Sequence, residues 1–327
     1  MSFRIVLIFS LMMTVSCATR SAKTATQSIF INSMVSKHQF SESELVRLFD
    51  QVEMNDKVLK SITSPAEAMP WYKYRKIFLT DARIQEGVEF WRQNADTLAK
   101  VSKKYGVPAE IIVAILGVET KYGRHTGSYR VIDALSTLAF GYPPRSRFFS
   151  EELEQFLLLC RDENVNPLQP LGSYAGAMGM PQFMPSSFRS FAIDFNKDGS
   201  RDLWHDKTDV IASIANYFTA HGWVKNKPIA VPVFAKNENY KSLLNDSLKP
   251  NLRIDELESA RVEFSKPLPL DSKIKLLALE QEHGDELWAV LENFYVITRY
   301  NHSPLYAMAV YQLSQALLNQ KIKYPYE

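Results

Sequence analysis

Val113-Ala114-Ile115-Leu116-Gly117-Val118-Glu119-Thr120 places one carboxylate in an otherwise apolar helical run. Counting back in helical steps, Ile115, Ile112 and Ile111 stand at i−4, i−7 and i−8, on the face that carries Glu119. A charge on a buried stripe is costly unless it is paired or made neutral. Two readings follow. One is a structural ion pair; the other is a carboxyl whose burial raises its pKa toward the neutral range that a general acid needs. Working outward, Gly106 stops the preceding helix and Pro108 opens this one, the usual order of end-Gly and start-Pro. The segment 84–105 (Ile84, Val88, Phe90, Trp91, Ala95, Leu98, Val101) repeats at helical spacing. Ser41-Glu42-Ser43-Glu44 has the form of a capping box opening a helix through Leu45, Leu48 and Phe49.

Helical character continues to about residue 222, broken by loops rich in Pro, Gly and Ser. Pro228–Lys236 then alternates with β-branched residues and reads as a strand, as do Ile274–Leu279 and Phe294–Thr298. A closing helix is expected over about 304–319. The fold class is therefore mainly α (α+β), with a small β-containing insertion. The 327 residues allow two or three domains, and a net charge of +2 gives no nucleic-acid footprint. At the N-terminus Arg4 precedes an apolar run from Ile5 to Val15 that ends at Ser16-Cys17. The run is short for a bilayer span and has the layout of a secretory h-region. A small residue directly before Cys resembles a bacterial lipobox, which implies a lipid on Cys17. Ala18 in place of Asp fits retention at the periplasmic face of the outer membrane. Cys160 is then the only thiol left and reads as a small core residue, with no intrachain disulfide.

The stretch Gly172-Ser173-Tyr174-Ala175-Gly176-Ala177-Met178-Gly179-Met180-Pro181-Gln182-Phe183-Met184-Pro185-Ser186-Ser187 combines small residues and prolines with hydroxyl, amide and aromatic groups. Such a backbone approaches a ligand closely. Sugars want this mixture: directional hydrogen bonds for hydroxyls and acetamides, and flat faces for the ring. A Gly-rich helix-packing corner is the plain alternative.

Gly117 to Gly123 and Ser173 to Ser187, followed by Ala215-Asn216-Tyr217-Phe218, Ala220-His221-Gly222-Trp223, Ile297-Thr298-Arg299-Tyr300-Asn301 and Tyr306 to Tyr311, resemble the membrane-bound lytic murein transglycosylase B family in order. The resemblance covers roughly residues 30–320. It implies a lysozyme-like helical core, a helical N-terminal part, and cleavage of the β-1,4 bond between N-acetylmuramic acid and N-acetylglucosamine in peptidoglycan. In that reaction the muramyl O6 closes on C1 and leaves a 1,6-anhydro end. Glu119 then serves as acid and afterwards as base, with the substrate acetamide in place of a second carboxylate. The resemblance also implies Ser173, Tyr174, Gln182, Tyr217, Tyr300, Asn301 and Tyr306 as glycan-binding residues. Proteins of cell-wall synthesis or remodelling are implied partners; no organic cofactor is expected.

Asp194, Asn196, Asp198 and Asp202 fit positions 1, 3, 5 and 9 of an EF-hand loop, with Gly199 at 6 and the carbonyl of Ser200 at 7. Position 12 is His205 rather than Glu. By resemblance Asp209 supplies the last carboxylate of a structural Ca²⁺ site, with Asp206 as its rival. Six histidines show no HExxH pairing, and Ser173 lacks a G-x-S-x-G context. Two alternatives stay open: a hydrolytic muramidase using Asp133 or Glu151 as second carboxylate, and a non-catalytic peptidoglycan-binding lipoprotein. The expected organisation is a signal peptide over 1–16, a lipidated tether over 17–29 and a helical part over 30–105. A lysozyme-like core over 106–227, a β-containing domain over 228–299 and a returning C-terminal helix over 300–327 follow.

Overall fold

The computed structural model describes residues 25–63 and 69–323. In chain order the first helices are α1 (25–38), α2 (Glu42–Phe49), α3 (Asp56–Ile62), α4 (Trp71–Phe78), α5 (Asp81–Gln93), α6 (Ala95–Tyr105) and α7 (Ala109–Thr120). Strand β1 (Tyr129–Arg130), helices α8 (Val131–Gly141) and α9 (Ser146–Asp162), strand β2 (Leu171–Gly172), α10 (Pro185–Phe191) and α11 (Lys207–Ala220) follow. The last third holds β3 (Ala230–Ala235), α12 (Ile254–Ser259), β4 (Val262–Phe264), β5 (Lys275–Glu280), β6 (Asp285–Val290), α13 (Glu292–Tyr300) and α14 (Pro304–Lys323).

The chain forms two compact units. One contains the described part of Met1–Ser64 together with Gly127–Met178 and Phe183–Arg189. Here α8 packs along α9, and α3 packs on α8. Phe30, Phe49 and Phe140 meet edge to face with centroids 5.8–6.0 Å apart, closing α1 and α2 onto α8. The loop after α2 is pinned by two side chains of α8: Asp133 accepts from the Glu53 amide, and Thr137 accepts from the Asn55 amide. Cys160 is buried in α9, and burial pushes its thiol up to about 12, as expected of an inert core residue.

The other unit contains the described part of Pro65–Thr126, Gly179–Gln182 and Ser190–Glu327. Its helix α7 packs against α14, α5, α6 and α11. The apolar stripe expected under Glu119 proves to be a whole circumference: every residue from Ile111 to Gly117 is buried. A helix hydrophobic all round belongs at the centre of a bundle. The sheet runs β4-β3-β6-β5, all antiparallel, over its own core of Val233, Leu257, Val262, Ile274, Leu276 and Ala289.

Several local expectations hold. Ser41 caps α2 by accepting from the Glu44 amide, and Gly106 ends α6 at φ 72°. The strands expected near Pro228–Lys236 and Ile274–Leu279 are β3 and β5, and α14 covers the closing helix. Two expectations are corrected. Segment 84–105 is not one helix but breaks at Asn94, whose side-chain amide donates to the Phe90 carbonyl at 2.7 Å and competes with the helix ladder. Phe294–Thr298 is helical, not extended. A short apolar run cannot by periodicity alone be told from a buried helix. Here Asn293 is buried at the start of α13, bonded to the backbone of Val224 and Lys227. Strands β4 and β6 carry no expectation from the sequence. Among the described residues no helix is long and apolar enough to cross a membrane. Cys17 and the segment 1–16 lie outside the described residues.

Candidate active site

Glu119 lies in the last turn of α7 and is half-buried. The chain leaves the helix through two left-handed non-glycine residues, Lys121 (φ 48°) and Tyr122 (φ 60°). Each such residue costs roughly 1–2 kcal/mol, so the exit must be held from outside. Thr120 does part of this: its hydroxyl accepts from the Gly123 amide (3.0 Å) and donates to the Met180 carbonyl (2.9 Å). Arg83, buried in α5, donates to the Gly117 carbonyl at 2.6 Å, and Tyr122 donates to the Arg83 carbonyl at 2.8 Å. Phe90 stacks on Tyr122 with centroids 5.8 Å apart. The carboxylate thus projects from a helix end locked on two sides.

Its own surroundings decide between the two readings of the sequence. Glu119 forms no ion pair among the described residues; its one side-chain partner is the Tyr306 hydroxyl, which donates at 2.5 Å. Burial pushes the carboxyl from an ordinary 4.5 up to about 7, and the Tyr306 hydrogen bond opposes that rise. Tyr306 and Tyr300 are held well above the ordinary phenol range, first by burial and then by the neighbouring Glu119. Both phenols stay protonated and act as donors to their partners, Glu119 and the Pro181 carbonyl. A structural ion pair is therefore not what Glu119 makes.

Gln182, Tyr217 and Tyr300 gather in the same unit. The loop Gly179–Gln182 is fixed by Met180 N–H to Leu203 O (2.8 Å) and by the Gln182 side-chain amide, which donates to Gly179 O (2.9 Å) and Thr126 O (3.0 Å). Tyr300 donates to Pro181 O at 2.6 Å, and its ring lies 4.8 Å from that of Tyr217. Tyr217 donates to Arg299 O at 2.5 Å and stacks on His221 at 4.0 Å. Asn301 caps the C-terminus of α13 in extended backbone and is half-buried. Ser173 and Tyr174 belong to the other unit, where Ser173 Oγ accepts from the Ala177 amide at 3.1 Å and Tyr174 is exposed. Tyr306, read as a glycan contact, is first of all the partner of the carboxylate. Arg83 had no signal in the sequence, and Thr120 and Tyr122 stand in the Gly117–Gly123 motif without any sign of their role, because each acts through a backbone carbonyl or amide.

The acidic loop closes on itself. Asp194 accepts from the amides of Lys197, Asp198 and Gly199, and Asn196 donates to Asp198 (2.9 Å) and Asp206 (2.6 Å). The Ser200 amide donates to Asp198 at 2.9 Å. Asp202 caps the turn at Trp204 and His205. Asp209 is buried and accepts from the amides of Phe195 (2.8 Å) and Asp202 (3.2 Å). Burial pushes the Asp209 carboxyl up, those two amides oppose the shift, and Asp206 and Asp194 add to it. The donors Asp194, Asn196 and Asp198 are hard oxygens on one tight turn, the chemistry that suits Ca²⁺. Among the described residues no three acidic, His or Cys side chains form a ready metal cage.

Residues 22–315 match the Transglycosylase SLT domain family. The chain is similar to the membrane-bound lytic murein transglycosylase B of Escherichia coli (strain K12), 44% identical over 304 residues that cover 90% of this chain and 83% of that protein. Among solved structures it is similar to the E. coli lytic transglycosylase Slt35 in complex with calcium, at 45% identity and a TM-score of 0.84, covering 91% of this chain and 94% of that one. It is also similar to SltB3 from Pseudomonas aeruginosa in complex with NAG-anhNAM-pentapeptide, at 30% identity and a TM-score of 0.81, covering 91% and 80%. These likenesses carry the mainly helical, lysozyme-like fold expected from the sequence. The chain belongs to the Transglycosylase SLT domain family and is a homologue of the lytic murein transglycosylases, lyase-type enzymes that cleave peptidoglycan.

Proposed function

We propose that this chain cleaves the β-1,4 bond between N-acetylmuramic acid and N-acetylglucosamine and leaves 1,6-anhydromuramic acid ends, with Glu119 as the single acid and base. The observation that carries the proposal is a carboxyl raised to about 7 with a phenol donor and no cation beside it. At neutral pH such a group exists in both forms, which suits a residue that first gives a proton and then takes one. Protonated Glu119 delivers its proton to the leaving glycosidic oxygen. The substrate acetamide supports C1 as the bond breaks, as in substrate-assisted glycosidases. The carboxylate that results, steadied by Tyr306, removes the proton from the muramyl O6 hydroxyl as that oxygen closes on C1. Ser173, Tyr174, Gln182, Tyr217, Tyr300 and Asn301 are proposed to orient the glycan. The neighbour bound to an anhydro-muropeptide supports this product class.

The hydrolytic alternative needs a second carboxylate to activate water. Asp133 is engaged by Arg130 and by the Glu53 amide, and Glu151 is an exposed partner of Arg147. Neither is placed as a free base.

Tyr306→Phe tests the arrangement. Losing one charge-assisted hydrogen bond of about 1.5 kcal/mol should slow turnover roughly tenfold. Because that bond lowers the Glu119 pKa, its loss raises it further. The alkaline limb of the pH–rate profile should therefore move to higher pH; a shift to lower pH contradicts the assignment.

A structural Ca²⁺ on Asp194, Asn196, Asp198, the Ser200 carbonyl and Asp209 is proposed from the donor chemistry and from the calcium-bound neighbour. The ion would relieve the mutual repulsion of Asp194, Asp206 and Asp209. Adding excess chelator to purified protein should lower the melting temperature by several degrees, and Asp198→Ala should abolish the difference. Identical melting with and without chelator counts against the site. For the N-terminal region we propose removal of 1–16, lipid on Cys17 and a tether over 17–29 that ends in the first residues of α1, placing the enzyme at the periplasmic face of the outer membrane. The name of the E. coli relative agrees with membrane association. The division into 30–105, 106–227, 228–299 and 300–327 remains the proposed organisation of the rest.

A further inference from the structure

Helix α14 carries a second set of chemistry away from Glu119. Tyr306 meets the carboxylate near the start of the helix, whereas Tyr311 lies about 140° around the axis from it. Gln312, Gln315 and Asn319 follow at i, i+3 and i+7, the last two some 14–20 Å along the helix from Tyr306. These three residues line an open depression of about 470 Å³. Its walls include Trp288 and Tyr311, whose rings meet edge to face with centroids 5.9 Å apart. Both rings are fixed: Trp288 Nε1 donates to Glu286 at 2.8 Å, and Tyr311 donates to the Ala230 carbonyl at 3.1 Å.

The charge of the lining is one-sided. Arg75 and Lys266 face the cavity, and no carboxylate lines it. Lys266 has no ion-pair partner among the described residues, and the Gln312 and Asn319 side chains have no hydrogen-bond partner there. Arg75 is held over the Trp71 ring at 5.9 Å, with only a loose 3.9 Å contact to Glu286. Glu286 is already engaged by Trp288 and Gln281, so most guanidinium donors of Arg75 stay available. Pro232 and Trp288 also line an adjoining cavity of about 740 Å³, but Glu238, Asp285 and Glu286 line that one, so the carboxylate-free surface ends at these two residues.

We infer that the cavity beside α14 is a second peptidoglycan-binding site, one that takes the carboxylate-bearing stem peptide of the polymer rather than its sugar chain. Lys266, which has no ion-pair partner among the described residues, and Arg75, only loosely paired, favour carboxylates; carboxamides match the amide groups of a peptide, and Trp288 and Tyr311 shield its apolar side chains. Uncharged N-acetylglucosamine would leave both cations unused. The inference rests on the proposed peptidoglycan substrate and adds to it a grip on the polymer distant from the scissile bond.

The test uses the full chain carrying Glu119→Gln, with and without Lys266→Glu and Asn319→Ala, both at exposed positions. A synthetic stem pentapeptide and a stem-free N-acetylglucosamine oligomer are titrated by calorimetry. The pentapeptide should bind the parent and weaken at least tenfold in the double variant, while the oligomer binds both equally. No pentapeptide binding, equal binding to both proteins, or loss of the oligomer instead overturns the inference. With Glu119 intact, the double variant should digest whole sacculi several-fold more slowly yet cut stem-stripped glycan strands at the parental rate. Equal rates on both substrates overturn it as well. Failure of the parent enzyme to cut either substrate strikes the proposed activity instead, since peptide binding is measured without turnover.

Discussion

Glu119→Gln is expected to lower the rate on murein sacculi by about 10³-fold or more. General acid or base assistance is worth about 10²–10⁴-fold, and one side chain is proposed to supply both steps. Gln keeps the shape and can still accept from Tyr306, but it neither gives nor takes the proton. The same variant should be more stable than the parent at alkaline pH, and the sign follows from the raised pKa. Below about 4.5 the carboxyl is protonated in both folded and unfolded chains and no difference arises. Between 4.5 and about 7 the unfolded chain releases its proton while the fold retains it, so the parent loses stability as pH rises. Above about 7 the loss is complete, at most about 3 kcal/mol at roughly 1.4 kcal/mol per unit. Melting curves at acid and alkaline pH should show the advantage of the Gln variant growing across that window. An unchanged difference would place the pKa of Glu119 near its ordinary value.

Gly179→Ala is expected to have a large effect on folding at the Gly179–Gln182 loop. At φ 68° a side chain is already strained, and a Cβ would stand 2.4 Å from the Leu203 carbonyl oxygen, which is backbone and cannot swing away. The same carbonyl accepts from Met180, and Gly179 O accepts from Gln182. The substitution therefore pushes the loop from its anchor and takes Gln182 with it. A loss of about 3 kcal/mol or more and a fall in activity beyond the stability loss are expected. Gly222→Ala is the control. Its φ of 93° is equally unfavourable, but nothing lies within 4 Å, so only the backbone cost of roughly 1–2 kcal/mol should appear. Equal melting temperatures for the two variants would remove the loop anchor from the account.

The proposed site was legible where chemistry and motif coincide in the chain. Glu119 stands out because a carboxylate interrupts an apolar helix, and Gln182, Tyr300 and Tyr306 stand in motifs. What the sequence could not give is how the helix end is held. Arg83 and Thr120 act on the carbonyls of Gly117 and Met180, and backbone acceptors leave no trace in residue identity. The β-branched run at Phe294–Thr298 misled because burial on a helix and burial in a sheet select the same side chains. Asn94 broke a helix through its own amide, a local competition that periodicity averages away. The acidic loop was readable up to Gly199, but the role of Asp209 as an amide clamp depends on where Phe195 and Asp202 fold back.

In the proposed reaction one carboxyl does both proton transfers and water takes no part. Digesting sacculi in water enriched in heavy oxygen, with mass spectrometry of the released muropeptides, tests it most directly. The parent enzyme should release 1,6-anhydromuramic ends carrying no label, and Glu119→Gln should release nothing. Labelled, reducing muramic acid ends would contradict the proposed reaction and identify a hydrolase.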